Sequence, residues 1–172
     1  SAKPAAQPES DARHASQYHL DNSRAHYFDL YDLAPIGYCT INTDGQMLQM
    51  NVAISILLGL PRRVLSKKSI AHFIRAEDQT LFYRYCTQLL KGNATKSCEL
   101  QMIKPDKQTF WAHITSTVHQ SERGIKEIRM AVHDISERKK IEQKLYLAAS
   151  VFTYAHEGIM ITTADGEIID IN

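Results

Sequence analysis

Residues 34–51 return at residues 155–172 without a gap. At a constant offset of 121, Ala34/Ala155, Gly37/Gly158, Asp44/Asp165, Gly45/Gly166 and Asn51/Asn172 are identical. Average composition would give roughly one such match in a window of this length. An offset of 121 leaves room for one module with its connector, enough chain to bury a core. The pattern reads as one complete module and the opening of a second, a piece of a tandem array. A first residue that is Ser1 and a last residue inside the second copy fit ends cut from a longer chain.

Composition excludes several function classes. Lys+Arg number 20 against 19 Asp+Glu, so no net field recruits nucleic acid or an anionic membrane. The basic run from Arg62 to Lys68 reads as a solvated helix-loop face. Cys39, Cys86 and Cys98 are odd in number and widely spaced, which argues against a disulfide framework or zinc site and for a reducing, cytoplasmic compartment. No stretch approaches the ~20 apolar residues of a membrane span, and no signal peptide is visible.

Residues 1–17 are poor in apolar bulk and read as a mobile tail. Apolar residues from Tyr18 to Ala34 fall at helical intervals, predicting an amphipathic N-terminal helix over 18–34 that Pro35 and Gly37 end. Strand alternation through Tyr38–Thr43, the Asp44-Gly45 turn and residues 46–50 predict a hairpin. Asn51 then caps a short helix that Gly59 terminates. Short helical turns are expected over 61–74 and a longer helix over 77–91, with Glu77 and Asp78 at its positive end. Three strands follow, around Cys98–Met102, 108–119 and 126–133. Two strands, several helices, then three hairpin-linked strands argue for an α+β fold with an antiparallel sheet.

A helix should leave this unit near Asp134, where Glu137 three residues on has capping-box spacing. Along that linker, 136–150 and beyond, Ile141, Leu145, Ala148 and Phe152 are spaced 4, 3 and 4, a coiled-coil seam that predicts a homodimer.

The segment Tyr27–Tyr38, then Asp44-Gly45, Asn51, Ala53, Leu57-Leu58-Gly59, Ala76-Glu77-Asp78, Trp111 and Asp134–Lys139 resembles PAS domains with their C-terminal PAC motif. The resemblance covers 28–135, and residues 151–172 look like the truncated start of a second PAS domain. Two loops depart from the family pattern, Ala76 where Pro is common and Pro105-Asp106-Lys107 in place of a Gly-containing turn. The resemblance implies a five-stranded antiparallel sheet with helices on one face, enclosing a small cavity. It further implies a sensor of bacterial signalling that acts through the departing helix. Output domains of diguanylate cyclase, phosphodiesterase or histidine kinase type are the contexts it suggests, as a further part of the parent chain.

Candidate pocket residues are Tyr38, Thr40, Ile54, Leu58, Phe73, Phe82, Tyr85, Ile103, Trp111 and Met130, an apolar wall with a few hydroxyl and indole donors. The alternative is a filled core in which those polar tips are satisfied locally. The resemblance assigns signal coupling to Asp134, Ile135, Ser136 and Arg138. No cofactor is expected, although an unidentified small molecule has room in this reading. The flavin-linking Cys motif is replaced by Ser69–Ile74, and His72 is the one His near the long helix that haem ligation would use. No phosphate loop, metal spacing or nucleophile-base set appears, so the chain is not expected to be an enzyme.

Overall fold

The computed structural model describes residues 26, 28–92, 94–120, 124–154, 158 and 160–171. The tail expected over 1–17 and much of the helix expected over 18–34 lie outside the described residues, while 28–32 are helical. The chain divides into two compact units, one ending at His133 and one beginning at Asp134.

The first unit opens with β1 (Gly37–Ile41) and β2 (Met47–Met50). Local chemistry sets their turn. Asn42 Oδ1 accepts from the N–H groups of Asp44 (3.0 Å) and Gln46 (2.8 Å), and Gly45 takes φ +83°, which a side chain would resist. Helix α1 (Val52–Leu58) starts at Asn51, whose side chain accepts from Ile54 N–H, and ends at left-handed Gly59. A short α2 (Arg62–Leu65) and two 3₁₀ turns, Ile70–Phe73 and Ala76–Asp78, lead into α3 (Gln79–Lys91). Strands β3 (Lys96–Ile103), β4 (Thr109–Gln120) and β5 (Lys126–Asp134) complete the unit.

The sheet order is β2-β1-β5-β4-β3, so the last strand inserts beside the first. β5 pairs antiparallel along all of β1, from Gly37↔Val132 to Ile41↔Ile128. This non-local closure makes residues 37–133 one cooperative sheet. One face carries Cys39, Ile41, Leu100, Met102, Ala112, Ile114, Ile128, Met130 and Val132, all buried with Ile54, Leu58, Phe73, Phe82, Tyr85 and Leu89 of the helical segment. A Cβ on Gly37 would meet Ile54 Cδ1 at 2.8 Å, so glycine here is what lets α1 lie against β1.

Asp78 stands at the N-terminus of α3 as expected; its side chain makes no capping bond there, and its Oδ2 accepts from Gln101 N–H at 2.7 Å. The carboxylate ties the start of α3 to β3, satisfying an edge-strand donor that water would otherwise take.

The second unit holds α4 (Ser136–Tyr154) and a hairpin of β6 (Met160–Thr162) and β7 (Ile168–Ile171). Among the described residues no helix is long and apolar enough to cross a membrane.

Candidate functional site

Asn51 is the hub of the first unit. It is fully buried, and its amide makes four hydrogen bonds. Oδ1 accepts from Tyr38 N–H (2.8 Å) and Ile54 N–H (3.0 Å), while Nδ2 donates to Tyr31 O (2.8 Å) and Ile36 O (2.9 Å). That is two donors and two acceptors, each used, the condition for burying an amide without loss. One side chain thus locks the N-terminal helical residues, the turn before β1, β1 itself and α1.

Asp32 adds a second tether. Its carboxylate accepts from Val52 N–H (3.1 Å) and from Arg62 Nη1 (3.0 Å). The carboxylate is nearly buried and Arg62 about half exposed, so the pair is charge-assisted on one side and solvated on the other. Sequence reasoning placed Arg62 on a solvated face and missed this pair. Its partner lies 30 residues away, and no local pattern announces it. Asn51 carried a signal in its recurrence as Asn172, but only its capping bond was readable locally.

The candidate pocket residues divide between the two faces of the sheet. Ile54, Leu58, Phe73, Phe82, Tyr85 and Met130 are buried together in the core. Tyr38, Thr40, Ile103 and Trp111 do not join them. Thr40 pairs with Gln49 and Arg129, and Trp111 with Gln101, whereas the intervening Cys39 pairs with Met50 and Met130. Directly paired residues share a face, so these four occupy the face opposite the helices. The sequence held the clue in β4, where His113 and Thr115 alternate in phase with Trp111, and Phe110, Ala112 and Ile114 in the other phase. On that opposite face Tyr38 stacks on Tyr31, with centroids 6.0 Å apart. An open groove of about 420 Å³ lies beside the stack, bordered by Thr40, Gln49 and Arg129, and a second of about 480 Å³ reaches Asp32, Leu48 and Arg62.

Within the core, Tyr85 is the main polar group. Its hydroxyl donates to Lys96 O at 2.9 Å, and burial raises its pKa above the usual phenol value. Ser116 Oγ is buried with no hydrogen-bond partner among the described residues, and its hydroxyl opposes that rise. Burial also pushes the thiols up, Cys39 and Cys98 to about 12 and Cys86 to about 11. All three stay protonated at neutral pH, which suits packing and not nucleophilic or redox chemistry. His72 is exposed, its Nδ1 3.1 Å from Ser69 O.

At the junction, Asp134 Oδ1 accepts from Ser136 N–H at 2.8 Å, capping α4. Glu137 turns to Lys140 (2.7 Å), and Arg138 pairs with Glu142 (3.7 Å) one turn on. Ile135 is buried. Ile141, Leu145 and Ala148 share one exposed stripe of α4; the Phe152 side chain lies outside the described residues.

The PAS fold family matches residues 25–135. Over 145 residues the chain is 25% identical to the probable diguanylate cyclase DgcE of Escherichia coli K12, covering 83% of this chain but 13% of that protein. It also superposes on a PAS domain of an HTR-like protein from Haloarcula marismortui, with TM-score 0.62, 16% identity and coverage of 70% and 98% of the two chains. A PAS domain from a two-component sensor histidine kinase aligns with TM-score 0.54, 13% identity and coverage of 68% and 98%. With its β5 returned beside β1 and its helices on one face of a five-stranded antiparallel sheet, this chain belongs to the PAS family.

Proposed function

We propose that this chain is the sensory and dimerisation module of a bacterial cytoplasmic signalling protein. A ligand or a conformational change in the first unit shifts the Asp134 junction, and α4 carries the shift to an output domain. Cyclic-di-GMP turnover is the favoured output, from the likeness to a diguanylate cyclase, with a histidine kinase second. Catalysis then belongs to the output domain and not to this chain. The observation that carries the reading is chain continuity. The closing strand of the sheet ends at Asp134 and a 19-residue helix starts at Ser136, with one residue between. A strand that is hydrogen-bonded along β1 cannot move without moving that cap.

Dimerisation rests on the exposed Ile141/Leu145/Ala148 stripe, which a parallel partner helix would cover. For signalling, the ligand must favour one state over the other; equal affinity shifts nothing. A filled core favours a second reading, a ligand-free spacer that holds two chains together. Met47, Ile54, Leu58, Leu100, Met102 and Ile114 leave no exposed surface on the inner face.

Native mass spectrometry of the protein purified from a bacterial host separates the two. A retained small molecule supports the sensor, and bare protein under gentle ionisation supports the spacer. An absorbance spectrum over roughly 300 to 700 nm should show no haem or flavin band. Asp134→Ala should cost about 1 kcal/mol as a lost cap and change the output of the parent protein. Unchanged output with that stability loss would remove the coupling role.

A further inference from the structure

We infer that the β6–β7 hairpin is the first edge of a second sheet, and that its bare side receives a continuation of the same polypeptide laid out like residues 52–134. The first support is geometric. In the first hairpin Cys39 pairs with Met50, Thr40 with Gln49 and Ile41 with Met47, with an irregularity between Thr40 and Ile41. In the second, Met160 pairs with Ile171, Ile161 with Asp170 and Thr162 with Ile168, with an irregularity between Ile161 and Thr162. Every partner is displaced by the same 121 residues.

The turns agree as well. Thr163 N–H donates to Glu167 O (2.8 Å) as Asn42 N–H donates to Gln46 O (3.0 Å), and Gly166 takes φ +86° where Gly45 takes +83°.

Cover is what differs. Cys39, Met47 and Met50 are 2%, 0% and 7% exposed, and their equivalents Met160, Ile168 and Ile171 are 58%, 57% and 59% exposed. Three large apolar side chains on one side of a two-stranded ribbon do not hold it in water without a partner layer.

Gly158 identifies that layer. Its counterpart Gly37 is glycine because Ile54 of α1 lies 2.8 Å from where a Cβ would be. At Gly158 no atom lies within 4 Å of that point, and the backbone is not in the left-handed region. Among the described residues nothing within this unit requires glycine there. A helix approaching as α1 approaches β1 does. The partner must therefore bring a helix to Gly158 and a strand to the open edge of β6, as β5 pairs with β1. A second copy of the exposed hairpin brings a strand edge but no helix.

The experiment compares the 172-residue protein with the parent chain extended to the position equivalent to Asp134, about 83 residues further at the same offset. Thermolysin, which cuts before bulky apolar residues, reads the hairpin at Ile161, Ile168 and Ile169. We expect cleavage there to slow at least ~100-fold on extension. Gly158→Ala and Ile168→Asp should each abolish that slowing while leaving the melting of the first unit unchanged. No slowing on extension, or slowing that survives both substitutions, overturns the proposal. So does a cleavage rate in the 172-residue protein that falls as its concentration rises, because a second copy would then be the occupant.

Discussion

The hairpins 39–50 and 160–171 share a register, a turn and a left-handed glycine, yet one is the buried edge of a closed sheet and the other stands bare. The comparison separates what makes a hairpin form from what keeps it. Formation is local, through an Asp-Gly turn and a side-chain acceptor at Asn42 or Thr163. Retention is tertiary. The first hairpin has α1 against Gly37, β5 along β1 and the Asn51 amide at its end.

The largest expected effect tests the last of these. Asn51→Ala removes four hydrogen bonds and strands two N–H groups and two carbonyls, so it should cost about 3 kcal/mol or more in urea unfolding. A cost below about 1 kcal/mol would reduce Asn51 to an ordinary cap.

Next comes a matched pair. Met47→Ala should destabilise by about 2 to 5 kcal/mol, while Ile168→Ala at the equivalent position should stay within about 0.5 kcal/mol. Equal effects would erase the contrast between the hairpins.

A third prediction uses pH. Burial raises the Cys39 pKa from 9.0 to about 12, so the folded state keeps a proton that the unfolded state releases. Its stabilisation is intact below pH 9 and is lost as pH rises from there towards 12, at about 1.4 kcal/mol per pH unit. Cys39→Ala should remove its share, about 1.4 kcal/mol per pH unit, and leave the slope contributed by Cys98 and Cys86, read as urea midpoints against pH. The equivalent Met160 has no proton to contribute.

The smallest effect concerns the β3–β4 turn, where Lys107 holds φ +71°, a conformation that glycine supplies in both hairpins. Lys107→Gly should raise stability by about 0.5 to 1 kcal/mol in the same assay. A loss would mean the lysine stem contributes packing that outweighs the backbone strain.

These residues also show how far the sequence could be read. Element order, the Asn51 and Gly59 helix ends, the Asp134 cap and the strands of the C-terminal half followed from turn chemistry and alternation, which act over a few residues. The faces of Tyr38 and Trp111 did not. Large amphipathic rings satisfy either side of a sheet, and only their in-phase neighbours Thr40, His113 and Thr115 mark the outer one. The Asp32–Arg62 pair and the Asp78–Gln101 bond join residues 30 and 23 positions apart, and pairing at that separation leaves no periodic trace. Six of the ten candidate pocket residues were therefore legible as core, and Tyr38, Thr40, Ile103 and Trp111 lie on the other face.

Amide hydrogen exchange on the 172-residue protein tests the central claim most directly, because it reports both hairpins in one sample. Amides of Cys39–Met50 that face β5 or the hub should exchange only through global opening, and those of Met160–Ile171 close to the rate of an unstructured chain. Comparable protection in the two hairpins would contradict the claim that cover, and not the hairpin itself, distinguishes the closed module from the open one.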